Sequence, residues 1–193
     1  MRKVLLVLVP GVESMEFSPF LDIFGWNEML GSKDIHLEIC SFEKNISTSW
    51  NLQIQSELDV KNIKISEYNA LILPGGFGKY CYFETIKHRD FQSLIAKAVE
   101  QQLYIIGICT GSILLASTGY FEGKKMTTYL YENGRYSKQL ANYSVNFQDS
   151  IFCKDGKLWT SSSPATAIPL AFDLLEELTS YQNRKYIETI MGF

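Results

Sequence analysis

Histidine is scarce in this chain. Only His36 and His88 occur in 193 residues, and neither has a second metal ligand at a recognisable spacing. The usual zinc arrangements are therefore excluded, and no metal or other cofactor is expected. Cysteine is sparse as well. Cys40, Cys81, Cys109 and Cys153 lie far apart, with no Cys-x-x-Cys pair, and a chain this long needs no disulfide staples, so free thiols are expected. No block of Lys and Arg stands out, and the net charge of -3 gives no electrostatic reason for a nucleic-acid partner. Long hydrophobic runs are missing too. The first, Val4 to Val9, meets Pro10 and Gly11 at once, too short for a membrane span or a signal-peptide core. The expectation is a cytoplasmic protein without membrane attachment. With no repeat, low-complexity stretch or linker, residues 1–193 read as a single domain.

What is present is an alternation of strands and helices, in a composition ordinary for a globular protein (46% hydrophobic, 20% charged). Val4 to Val9, Ala70 to Leu73 and Leu103 to Ile108 are continuous apolar runs, as expected for strands covered on both faces. His36 to Phe42 alternates and suits a strand, and Asn45 to Asp59 suits short strands and loops. Phe17, Phe20, Leu21 and Phe24 fall at helical spacing, as do Phe91, Leu94, Ile95, Ala98 and Val99. Thr127-Thr128 marks a short strand, and Tyr131 to Leu140 a helix. Val145 to Phe147, Ile151 to Cys153 and Leu158 to Ser161 read as strands, the last two joined at Asp155-Gly156. Helices through Ile168 to Leu178 and from about Asn183 close the chain, with Pro169 tolerable in a first turn. The pattern predicts an α/β fold with a doubly wound, mostly parallel sheet flanked by helices. Ligands gather at the carboxyl ends of such strands.

Three loops sit there. Gly107-Ile108-Cys109-Thr110-Gly111-Ser112 ends a strand and opens a helix, with glycines two positions either side of the cysteine. This is the pattern of a nucleophile elbow, a strained turn that exposes its nucleophile. A helix N-terminus favours thiolate over thiol, so Cys109 is expected to be the most reactive thiol, with a lowered pKa. A buried structural thiol is the alternative. Pro74-Gly75-Gly76 can turn sharply and present N–H groups to an oxyanion, or serve as a plain turn. Glu13 and Glu16 follow the first strand, and favourable placement at a helix N-terminus accounts for both. His36, His88 and Cys81 are given no role.

Taken together, these pieces resemble the ThiJ/PfpI (DJ-one) superfamily, within the flavodoxin-like, class I glutamine amidotransferase-like fold. The likeness rests on Gly11 to Glu16, Leu73-Pro74-Gly75-Gly76, Ile108 to Ser112, Gly119 to Thr128 and Leu158-Trp159-Thr160-Ser161. It implies a nucleophile at Cys109, an acidic partner at Glu16 that shares a proton with the thiol, and oxyanion donors near Gly76 and Thr110. It also implies a homodimer. Two departures matter. Tyr129 follows Thr127-Thr128 where many members have histidine, and Thr110 follows the cysteine where protease-like members have histidine. No motif position supplies a general-base histidine, which argues against a Cys-His protease.

The Cys-Thr-Gly-Ser segment resembles the isocyanide hydratase branch, which uses Asp where Glu16 stands. The expected function is a small-molecule hydratase or hydrolase using Cys109 with Glu16. The alternatives are an oxidant or electrophile sensor whose chemistry is oxidation of Cys109, or a binding module with a degenerate site.

Overall fold

The computed structural model describes residues 1–56, 58–131 and 133–193. The apolar runs form the centre of a seven-stranded sheet. Its strands are β1 (Arg2–Val7), β2 (Ile35–Ser41), β5 (Leu58–Asp59), β6 (Ala70–Leu73), β7 (Tyr104–Ile108), β10 (Phe152–Asp155) and β11 (Leu158–Ser161). The strand order is β10-β11-β7-β6-β1-β2-β5, parallel throughout except for β10 against β11. β3 (Asn45–Ser47) and β4 (Gln53–Gln55) form a separate hairpin, and β8 (Lys125–Met126) pairs with β9 (Asn146–Phe147).

Successive side chains of a strand point to opposite faces, and both faces here are buried. Leu5, Val7, Leu71, Leu73 and Ile105 pack with α2 (Arg89–Glu100), α3 (Gly111–Ala116) and α4 (Arg135–Ala141). Val4, Leu6, Ile72 and Ile106 pack with α1 (Ser14–Leu30), α5 (Ala167–Leu178) and α6 (Tyr181–Met191). Each fully buried Leu or Ile contributes about 1.5–3 kcal/mol, which is why these strands need no alternating polar residues. Pro169 is the third residue of α5, inside the first turn.

Two expectations shift. Thr127-Thr128 lies beyond the end of β8 instead of forming the strand. The hydroxyls take the place of ladder bonds, Thr127 Oγ1 donating to Ser150 O at 2.7 Å and Thr128 Oγ1 to Cys109 O at 2.8 Å. The helix expected from Tyr131 begins only at Arg135, because Gly134 is left-handed at φ 71°. Residue 132 of that stretch, and residue 57 of the Asn45 to Asp59 stretch, lie outside the described residues. Among the described residues no helix is long and apolar enough to cross a membrane.

From β1 the chain steps outward to β2, then returns across β1 to β6 on its other side. The strand order reverses there, which opens a crevice at the carboxyl ends of β1 and β6. All three loops singled out from the sequence converge on this crevice.

Candidate active site

Cys109 has φ 53°, in the left-handed region that costs a side-chain-bearing residue about 1–2 kcal/mol. Distant segments hold it there. Its N–H donates to Ser161 O at 2.7 Å, and its carbonyl accepts from Thr128 Oγ1 at 2.8 Å. The flanking glycines are required by close approach. A Cβ on Gly107 would lie 2.7 Å from Leu115 Cδ1, and one on Gly111 would lie 2.3 Å from Leu73 O.

The loop after β6 passes between the elbow and the first turn of α1. Gly75 N–H donates to Glu16 Oε2 at 2.5 Å. Gly76 N–H donates to Thr110 Oγ1 at 2.9 Å, and that hydroxyl donates back to Gly76 O at 2.8 Å. Both N–H groups of the expected oxyanion donors Gly75 and Gly76 thus have acceptors within the protein. The lack of side chains at these two glycines serves packing. A Cβ on Gly76 would sit 2.1 Å from Gly11 O, and one on Gly75 would sit 2.7 Å from Glu16 Oε2. Thr110, also expected among the oxyanion donors, presents its backbone N–H to the Cys109 sulfur and stabilises the thiolate.

Glu16 is fully buried. Its Oε2 is committed to Gly75, while Oε1 has no conventional hydrogen-bond partner. Burial therefore dominates its chemistry and pushes its pKa up to about 8, so the carboxyl keeps its proton at neutral pH. That proton belongs on Oε1, the oxygen without a donor. Cys109 is coupled to the same group. Burial pushes the thiol well up, the charge of an ionised Glu16 pushes it further, and only the Thr110 N–H opposes them. The lowered thiol pKa expected from the helix N-terminus is thus corrected. The six-residue α3 is too short to outweigh the desolvation of a residue that is 6% exposed.

A cavity of about 160 Å³ opens onto the sulfur. Beside Cys109, Thr110 and Gly76 it is lined by Glu13, Phe77, Tyr129, Tyr136 and Pro164. Glu16 is not among the lining residues. Of the two acids on the first loop, Glu16 is sealed in behind and Glu13, the N-cap of α1, faces the cavity. Sequence reasoning gave Glu13 no role, although its spacing of three from Glu16 placed both on one helix face. Nothing in the sequence marked Tyr136 or Phe77.

Among the described residues no histidine lines this cavity. His36 pairs with Glu28 at 3.1 Å, and His88 packs its ring against Phe42, centroids 4.8 Å apart. Cys81 is exposed and Cys40 and Cys153 are buried, none of them lining the cavity. Among the described residues no group of three or more His, Cys, Asp or Glu side chains could hold a metal ion.

Comparison with known proteins agrees with this geometry. The model of the DJ-1/PfpI family matches residues 2–177. The chain is 27% identical over 183 residues to protein dj-1beta of Drosophila melanogaster, covering 92% of this chain and 89% of that protein. It is 23% identical over 183 residues to an isonitrile hydratase of Pseudomonas putida, covering 94% and 74%. Superposed on the crystal structure of the Drosophila protein it gives a TM-score of 0.85, with 24% identity and coverage of 98% and 97%. A match over 176 of 193 residues takes in all three loops of the site, and the chain belongs to the DJ-1/PfpI family.

Proposed function

We propose that this protein is a small-molecule enzyme of the hydratase or hydrolase type, with Cys109 as nucleophile and Glu16 as its proton-holding partner. One observation carries the reading. A thiol at a strained elbow faces a small cavity, while a fully buried acid with an unpartnered oxygen acts on it from behind.

The protonation states favour addition over displacement. At neutral pH both Glu16 and Cys109 hold protons, because burial raises both. Such a pair suits an unsaturated electrophile that takes up the thiol's own proton. With an isonitrile, the C–S bond forms, the S–H proton ends on the same carbon, and a thioimidate results. Water then adds to that carbon, the C–S bond breaks, the thiol regains its proton and a formamide leaves. Glu16 keeps a neutral O–H beside the sulfur throughout, so no pair of like charges is buried. The relative named isonitrile hydratase adds support for this chemistry.

The test is turnover of an isonitrile and α-dicarbonyl panel by the wild-type chain and by Cys109→Ser. The expected result is product from the wild type and loss of at least about a thousandfold in the variant, the scale seen when a covalent nucleophile is removed. Turnover unchanged in Cys109→Ser refutes the reading. A second reading, a sensor without turnover, is favoured by the engagement of both glycine N–H groups, which leaves no preformed oxyanion pocket. It is supported instead if the whole panel is inert while peroxide reversibly oxidises Cys109.

A cytoplasmic homodimer completes the proposal. Met15, Met29, Trp50 and Leu52 leave apolar surface exposed, and light scattering that returns 22.0 kDa would exclude the dimer.

A further inference from the structure

The cavity over Cys109 has a charge character that its reactive thiol does not explain. Among the described residues its one ionisable acid is Glu13. Among those residues no Lys, Arg or His lines it. The two glycine N–H groups that could have held an anion are bonded to Glu16 and Thr110. Three aromatic side chains, Phe77, Tyr129 and Tyr136, complete the wall. Among the described residues no cation forms a salt bridge with Glu13. Burial alone disfavours its charge, and raises its pKa accordingly. A partly desolvated carboxylate without a counter-ion, set among aromatic faces, is complementary to a positive group. The Tyr136 ring already packs against one cation, the Arg135 guanidinium, 5.1 Å from its centroid.

We infer that the site selects small cationic ligands, with the Glu13 carboxylate and the aromatic wall holding the positive end while the electrophilic end reaches Cys109 Sγ. This rests on the reading of Cys109 as the nucleophile and names the substrate class for it. Size limits the class further. About 160 Å³ is close to the volume of a cavity that takes one benzene molecule. A primary amine or small ammonium carrying one reactive carbon fits this volume. Glu13 is a specificity-determining residue in this scheme, and Glu16, sealed behind the sulfur, does not touch the ligand.

The test uses three thiol reagents of one reactive type, cationic, neutral and anionic. They are 2-aminoethyl, methyl and 2-sulfonatoethyl methanethiosulfonate, each forming a mixed disulfide with Cys109 and releasing methanesulfinate. The Cys81→Ser background removes the exposed thiol. Labelling of Cys109 at pH 8 is followed by mass spectrometry, with each rate divided by that of free 2-mercaptoethanol. The cationic reagent is expected to outpace the anionic one by about tenfold or more, the scale of one partly screened charge a few ångströms from the reacting atoms. Glu13→Gln should collapse that ratio to within about threefold of unity, and Glu13→Asp should retain most of it. A flat charge profile in the parent protein, or an undiminished ratio in Glu13→Gln, overturns the inference and leaves Cys109 reactive. Failure of even the neutral reagent to label Cys109 overturns the nucleophile reading and the inference with it.

Discussion

Cys81 and Cys109 share an unusual backbone conformation, at φ 66° and φ 53°, and both sit in loops at the carboxyl edge of the sheet. They differ in what holds them. Cys81 joins two short 3-10 turns, and its bonds are local, its N–H to Gly78 O at 3.2 Å and its carbonyl to Glu84 N–H at 3.0 Å. Its side chain is exposed. Cys109 is fastened by Ser161 and Thr128 from distant parts of the chain, and its side chain meets a buried acid and a cavity. Backbone strain alone therefore does not mark a nucleophile. Long-range clamps and a desolvated proton partner separate the two, and each can be removed by substitution.

The largest effect is expected at the proton partner. Glu16 has a folded pKa of about 8 against an ordinary carboxyl value of 4.5. A group raised on folding gives stability that is full below the unfolded value and lost as pH rises through the folded one. Stability should therefore fall from about pH 4.5 to about pH 8, at roughly 1.4 kcal/mol per pH unit from this site. Gln in its place keeps an acceptor for the Gly75 N–H and cannot ionise. Denaturant melts at a series of pH values should show the slope in the wild type and its loss in Glu16→Gln. The same variant should move the Cys109 titration downward, because the negative charge that opposes the thiolate is gone. Superimposed pH profiles would erase the proposed difference between the two cysteines.

A smaller effect is expected at Thr110, whose hydroxyl both accepts from and donates to Gly76 in a buried setting. Thr110→Val preserves shape but strands a buried N–H and a buried carbonyl. The expected loss is about 2 kcal/mol at the denaturation midpoint, with most of it recovered in Thr110→Ser. Cys81 has no such cross-link beside it. If the Val variant is as stable as the wild type, the long-range clamp is not what maintains the elbow.

Much of this site could be read before any coordinates. The apolar runs located β1, β6 and β7, and glycines at Gly107 and Gly111 located the elbow, because both signals are local. What the sequence concealed depends on pieces meeting across the fold. Glu13 and Glu16 are three residues apart on one helix turn, and the seat of α1 against the Gly75 loop decides which is sealed in. Gly75 and Gly76 read as free donors, because their acceptors lie on other segments, in the first turn of α1 and beside the elbow. Tyr136 enters the cavity from a helix that starts later than its pattern suggested, held back by left-handed Gly134. The direction of the thiol shift differs from the expectation for a related reason. A helix N-terminus is visible in sequence, whereas the burial that outweighs it is not.

The smallest effect sharpens the comparison most directly, since one substitution should act with opposite signs at the two cysteines. Asn tolerates the left-handed region better than other side-chain-bearing residues and carries no glycine-like entropy cost in the unfolded chain. At Cys81 the side chain is exposed, so the amide stays solvated and only the backbone benefit remains. Cys81→Asn should therefore stabilise by about 0.5 kcal/mol, near the upper limit for a surface change. At Cys109 the backbone benefit is similar, but the amide enters a pocket that is 6% exposed, next to an acid already holding its own proton. A buried amide with incomplete partners costs about 1–3 kcal/mol, so Cys109→Asn should be net destabilising by about 1 kcal/mol or more. Paired denaturant melts of the two variants at pH 7 measure both signs in one experiment. Equal stabilisation at both positions would mean that Cys109 sits in a tolerant, solvated turn like Cys81, and would remove the physical basis for assigning it the chemistry.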